Sequence, residues 1–234
     1  MSTGNSEVAL PGGAVVTVKV SATARAMRLR VDPRTGGVWL TVPRLVSRRR
    51  AIEWAAGHRQ WIEQALARVP ARVPLTAGSA VPLYGLPHII DWAPGRPRAI
   101  EVRDGRLMAG GPIEGLEARI LRWLKRHALD TLARETRDCA AASGLRVARI
   151  GVGDPVSRWG SCASSGGIRY SWRLILAPEF VRLATVAHEV AHLVHMNHGP
   201  QFHALVETLL GGDPKPARLW LRRHGAELHR IGAS

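Results

Sequence analysis

Residues 188–200 read HEVAHLVHMNHGP, and this stretch decides both the fold and the chemistry expected of the chain. Residues four apart on a helix share one face, so His188 and His192 aim two imidazoles at one point. Glu189 lies beside them, where it can take a proton from water that a metal has activated. His198 supplies a third nitrogen if the chain turns back. Three protein ligands and one open position form the pattern of a catalytic zinc site.

The position of His198 predicts where the helix ends. Ten residues advance about 15 Å along a helix axis, so one continuous helix cannot bring His198 to the ion that His188 binds. The helix must therefore end soon after His192. Asn197 tolerates a left-handed conformation, and Gly199-Pro200 stops the segment. We expect His198 to fold back beside the metal.

Other side chains near this stretch have competing interpretations. Glu207 is an alternative third ligand, since some zincins take a carboxylate from a downstream helix. His198 has the metzincin spacing, but His195 stands where those enzymes have glycine, and no methionine follows Met196. The sequence therefore disfavours a metzincin. His195 is interpreted either as a group that stabilises charge on the substrate or as a surface histidine, and His203 as structural.

The N-terminal half has the pattern of short strands. Apolar and polar residues alternate over three segments, at 16–20, 27–31 and 38–42. Gly36-Gly37 provides a turn between the last two, which favours a meander or a hairpin. Ser47 is the predicted N-cap of a helix over about 48–68. Further strands are predicted near 80–84, 87–92 and 98–103.

The apolar pattern changes from period two to a helical period after Ala109-Gly110-Gly111-Pro112. A long helix is predicted from 113 to about 142, strands near 147–152 and 167–176, and helices after Pro178, over 200–210 and over 215–227. The predicted class is α+β, with a β-rich N-terminal region packed on the domain that carries the histidines. The predicted divisions are a flexible tail over 1–13, the β-rich region with one long helix over 14–110, and the catalytic domain over 111–234.

Composition indicates possible partners and location. The net charge is +15, which suits a polyanion such as nucleic acid. Biased codon usage is the alternative explanation of this charge, since almost all of the excess of basic residues is arginine. Residues 1–13 lack a secretion signal, and no apolar run approaches the roughly 18 residues of a membrane span. Cys139 and Cys162 fit no metal or redox spacing, so a cytoplasmic protein with reduced cysteines is expected, with one disulfide as the alternative.

Several motifs resemble a known family. The stretches SRWGSC at 157–162, YSWRLILAP at 170–178 and VAHE at 186–189 are similar to those of the YgjP-like metallopeptidases. The stretch NHGPQF at 197–202 is similar to a turn of the related SprT-like proteins. The resemblance extends over about 145–210, and more loosely over 15–68.

This resemblance implies a zincin-like fold, with His188, His192 and His198 as metal ligands and Glu189 as catalytic base. The chain departs from the family at His203, where many relatives carry Trp; this departure concerns the wall of the pocket and not the metal.

The segment Arg158-Trp159-Gly160 has two interpretations. Zincins commonly bind an extended peptide along an edge strand above the metal helix, through main-chain hydrogen bonds. Gly160 would permit close approach of that backbone, and Arg158 could hold a carboxylate or a phosphate. Alternatively, the segment is a buried loop that Trp159 anchors.

The function predicted from these observations is peptide-bond hydrolysis with one Zn²⁺ per chain, in which Glu189 is the general base and a protein or peptide is the substrate. One alternative is a zinc-dependent nucleotide phosphohydrolase, although most such enzymes use two ions or carboxylate-rich sites. Another is a DNA- or RNA-associated SprT-like protease. The sequence does not indicate an oligomeric state.

Overall fold

The computed structural model describes residues 6–11, 13–33 and 35–232. It contains two compact units, and the division between them lies at Arg72–Val73. Helices and strands make up the fold, which confirms the predicted α+β class. Among the described residues, no helix combines the length and the apolar character needed to cross a membrane.

The first unit contains a four-stranded sheet in the order β1-β2-β4-β3. Its strands are β1 (Ser6–Ala9), β2 (Val15–Ser21), β3 (Arg28–Val31) and β4 (Val38–Pro43). Strands β2 and β4 are parallel, and the other neighbours are antiparallel. The antiparallel pairing of β3 with β4 confirms the predicted hairpin.

Strand β1 lies within the segment 1–13 that the sequence predicted as a tail. Ser6 pairs with Val18 and Ala9 with Val15, so residues 6–9 form backbone hydrogen bonds with β2. Residues 1–5 and 12 of the predicted tail lie outside the described residues.

Two helices stand where the sequence predicted one over 48–68. Helix α1 (Arg48–Gly57) begins at the predicted N-cap, because the Ser47 hydroxyl accepts a hydrogen bond from the backbone N–H of Arg50. Helix α2 (Arg59–Ala67) follows after a break at His58. The imidazole Nδ1 of His58 lies 2.7 Å from the carbonyl oxygen of Trp54. That carbonyl is the acceptor a continuous helix would use, so the side chain competes with the backbone there.

The second unit begins with another four-stranded sheet, in the order β5-β6-β8-β7. Its strands are β5 (Ala80–Leu83), β6 (Leu86–Trp92), β7 (Glu101–Arg103) and β8 (Arg106–Ala109). The long helix α3 (Leu116–Ala142) follows a 3-10 turn at Ile113–Gly115. Ile90 and Leu107 of the sheet share one buried core with Ile120 of α3. This shared core groups strands β5–β8 with the helices that follow, whereas the sequence pattern placed a boundary after residue 110.

A three-stranded sheet and three helices complete the second unit. The strands are β9 (Arg149–Gly153), β10 (Gly160–Cys162) and β11 (Gly167–Ser171), in the order β10-β11-β9. The helices are α4 (Glu179–Ala191), α5 (Pro200–Leu210) and α6 (Lys215–Arg230). The strand predicted over 167–176 ends at Ser171, and Trp172–Leu176 form a fully buried 3-10 helix instead. Short apolar runs fit buried helices as well as strands, which explains the difference.

Two buried arginines fix the helices around α4. Arg182 of α4 forms an ion pair with Glu135 of α3, with an N–O distance of 2.7 Å. Arg173 forms an ion pair with Asp154 at 2.7 Å and donates to the carbonyl oxygens of Leu228 and Ile231 at the end of α6. Removing one partner of a buried pair leaves an uncompensated charge, so these contacts hold the helices in a defined arrangement.

Candidate metal centre

The helix that carries the first two histidines ends where the sequence required. Helix α4 ends at Ala191, and His192 is its C-cap residue. Gly199 is extended and precedes α5, which has Pro200 in its first turn. The chain therefore reverses between His192 and Pro200 and returns past α4. This reversal brings His198 back to the end of the helix.

The structure brings three of the predicted site residues together. One ligand atom each from His188, His192 and His198 lies within 4.8 Å of the others. The Nε2 atoms of His188 and His198 are 3.3 Å apart. The ring of Phe202 contacts all three imidazoles, with ring-centre distances of 4.9, 4.5 and 4.7 Å. Phe202 is buried and so packs the three imidazoles against the core formed by α4 and α5.

The protonation of these histidines suits metal binding. His192 places Nδ1 3.0 Å from the carbonyl oxygen of His195, to which it donates, and this leaves the lone pair on Nε2. Burial, as the largest cause, together with the neighbouring histidines and Arg218 lowers the pKa of His188 to about 4. Burial also lowers the pKa of His198. The cluster thus offers three imidazoles and no carboxylate, a donor set that fits zinc better than calcium or magnesium.

Glu189 lies beside the histidines in a pocket of low polarity. Only 4% of its surface is exposed. Burial raises its pKa from the ordinary value of 4.5 to about 7, and the charge of Arg158 acts in the opposite direction. A carboxylate with a pKa near neutrality is suited to accept and release protons.

Gly160 is the residue that makes room for Glu189. A Cβ atom at position 160 would lie 2.6 Å from Cγ and Cδ of Glu189 and would also overlap Oε1. These are distances that real Cβ atoms do not adopt, so any side chain at position 160 displaces the carboxylate. The sequence indicated a close backbone approach at Gly160, but it did not identify Glu189 as the group that comes close.

We expect Gly160→Ala to lower kcat for peptide hydrolysis by about a hundredfold, since a displacement of roughly 1 Å has that effect on a positioned group. Zinc content should be unchanged, because the three atoms nearest to a Cβ at position 160 all belong to Glu189 and none to an imidazole. Gly151→Ala is the matched control in the same sheet, as a Cβ there meets nothing within 4 Å. Equal kcat values for the two variants would contradict this role of Gly160.

The raised pKa of Glu189 also predicts a pH dependence of stability in the metal-free protein. Because the folded state favours the neutral form of Glu189, the stability that this residue contributes is fully present below about pH 4.5. It is lost as the pH rises to about 7. The shift corresponds to roughly 3 kcal/mol. Glu189→Gln should therefore raise the urea midpoint of the chelated protein more at pH 8 than at pH 5. The same difference at both pH values would contradict the raised pKa.

A cleft of about 250 Å³ opens beside His188 and Glu189. Its walls come from the 158–160 segment, α4, α5 and α6. His203 lines it on α5; the sequence suggested a structural role for this residue, and the comparison with the family related it to the wall of the pocket. Arg218 and Leu221 line it on α6 and were not identified from the sequence, because no motif marks them.

The segment Arg158-Trp159-Gly160 combines features of both predicted interpretations. Trp159 stacks on His229 of α6, with ring centres 5.0 Å apart, and so anchors the segment. Strand β10, which follows, lies at the edge of its sheet. The carbonyl oxygen of Trp159 accepts a hydrogen bond from the backbone N–H of Ser171 in β11. Successive residues of an antiparallel strand direct their backbone groups to opposite sides, so the N–H and C=O of Gly160 point away from β11, towards the open edge. An extended peptide could pair with these groups.

Two other residues considered from the sequence stand apart from the cluster. His195 contributes its backbone carbonyl, and its imidazole is not among the grouped ligand atoms. Its predicted contact with the substrate stays a prediction. Glu207, the alternative third ligand, is exposed on α5 and is not part of the group.

Comparison with known proteins agrees with this site. A family model described as YgjP-like, metallopeptidase domain, matches residues 25–224, which include strands of the first unit as well as the whole histidine cluster. Searches of curated proteins and of solved structures gave no significant match. The match confirms the resemblance seen in the motifs and extends it over most of the chain.

Proposed function

Because the chain belongs to the YgjP-like metallopeptidase family, we propose that it hydrolyses peptide bonds with one zinc ion held by His188, His192 and His198. The observation that carries this proposal is the convergence of three imidazoles within 4.8 Å beside the buried Glu189. A structural zinc site would have a fourth protein ligand, and no fourth histidine, cysteine or carboxylate joins this group among the described residues.

When bound, zinc would polarise the scissile carbonyl group and lower the pKa of a water molecule towards about 7. Glu189 would accept the proton of the attacking water and deliver it to the leaving amine. Its burial favours this cycle, because the neutral and ionised forms are then close in free energy near neutral pH. The hydrogen bond from His192 to the His195 carbonyl would hold the imidazole with Nε2 towards the ion.

Strand β10 provides a means of aligning the substrate. The outward backbone groups of Gly160 and Cys162 would add an extended peptide to the sheet edge. Gly160 also contacts Glu189 closely, so a peptide paired there would run past the carboxylate. Trp159 holds this edge in place by packing on α6.

A direct comparison of substrates tests the proposal. Zinc-loaded protein is incubated in parallel with casein-like chains and with nucleoside triphosphates. We expect new peptide termini from the chains and no release of phosphate or pyrophosphate from the nucleotides. Release of phosphate without proteolysis would overturn the proposal in favour of a phosphohydrolase.

A further inference from the structure

The cleft beside the cluster has an uneven distribution of charge. Arg158 and Arg218 both line it, and they come from different elements, the segment before β10 and helix α6. Both side chains are exposed. Glu189 is the only carboxylate among the residues that line the cleft. Two guanidinium charges therefore face a single carboxylate in this cleft.

Neither guanidinium group forms an ion pair or a hydrogen bond within the described part of the chain. By contrast, the structural arginines Arg173 and Arg182 are buried and paired. The two cleft arginines thus remain available to a ligand.

The deeper part of the cleft is apolar. Ala184, Val206 and Ala217 are buried in its wall, and Leu221 is partly exposed there. A volume of about 250 Å³ lies below the range of roughly 300–1,000 Å³ typical of small-molecule sites. It suits one substrate residue with an aliphatic stem and a polar end.

We propose that this cleft binds a substrate residue that carries a carboxylate next to the scissile bond, with Arg158 and Arg218 as its partners. This inference rests on the proposed peptidase function. The carboxylate belongs either to an acidic side chain or to the C-terminus of the substrate. Arginine pairs well with carboxylates because its planar donors match the two oxygens, whereas a basic substrate residue would be repelled.

Peptide binding tests this inference without the need for turnover. Zinc-loaded Glu189→Gln protein is titrated with fluorescent, C-terminally amidated alanine-rich peptides that contain one central Glu, Gln or Lys. A fourth peptide has alanine at the centre and a free C-terminus. We expect the Glu peptide or the free C-terminus to bind about tenfold more tightly than the Gln peptide, as for a charge-assisted hydrogen bond. Which of the two is favoured identifies the source of the carboxylate.

Matched variants distinguish this cleft from the general positive charge of the protein. In the Glu189→Gln background, Arg218→Gln should reduce the preference for the carboxylate-bearing peptide over the Gln peptide several-fold. Arg222→Gln is the control, because Arg222 is exposed on the same helix but does not line the cleft. Equal affinities for all four peptides, or equal losses in the two variants, would overturn the inference. Failure of the wild-type protein to cleave any peptide would instead count against the proposed function.

Discussion

Replacing Glu189 by Gln is expected to lower kcat for peptide hydrolysis by about 10²–10⁴-fold, the usual contribution of a general base. The amide keeps the shape of the carboxylate but cannot accept a proton from water. Zinc content should remain the same, since Glu189 is not among the grouped ligand atoms. The measurement is kcat on a casein-derived peptide, together with metal analysis of the same preparation.

Glu207→Gln is the matched control for this variant. Glu207 is exposed on α5, so the substitution removes a carboxylate near the site without removing the proposed base. Both kcat and zinc content should stay close to the wild-type values. A fall in zinc content in this variant would restore Glu207 as the third ligand. Wild-type kcat in Glu189→Gln would show that Glu189 is not the base.

Replacing His198 by Ala is expected to weaken zinc binding by more than about a hundredfold, since even changes to the groups that orient a ligand commonly cost 10–100-fold. The segment at the end of α4 contributes only the imidazoles of His188 and His192, so the loss of His198 leaves the ion with two protein ligands. Competition with a chromophoric chelator measures the affinity directly. Activity at limiting zinc should fall in parallel.

His195→Ala serves as the control for this second variant. The His195 backbone carbonyl accepts the hydrogen bond from His192, and this carbonyl survives the substitution. Zinc affinity should therefore stay within a few-fold of that of the wild type. If His195→Ala weakened zinc binding as strongly as His198→Ala, the assignment of the third ligand would be wrong.

The features predicted well from the sequence are those determined over short distances along the chain. The histidines at 188, 192 and 198 lie within eleven consecutive residues, and the requirement that the helix end soon after His192 follows from helix geometry alone. The N-cap at Ser47 and the β3–β4 hairpin are likewise local signals. The family match over residues 25–224 confirms the resemblance that the motifs suggested.

The features that the sequence did not predict depend on contacts between distant segments. Arg218 reaches the cleft because α6 packs against the site, and Arg173 donates hydrogen bonds to Leu228 and Ile231 at the end of this helix. The close approach of Gly160 to Glu189 joins two segments that no local pattern connects. Similarly, strands β5–β8 belong with α3 because they share its core, although their period-two pattern resembles that of the first sheet.

Zinc titration of chelated protein, with bound metal and peptide hydrolysis measured on the same samples, tests the central claim most directly. We predict that the metal-free protein is inactive and that activity rises with bound zinc to a plateau at one ion per chain. Hydrolysis that persists after the zinc has been removed, or a plateau reached only at two ions, would contradict a single zinc held by His188, His192 and His198.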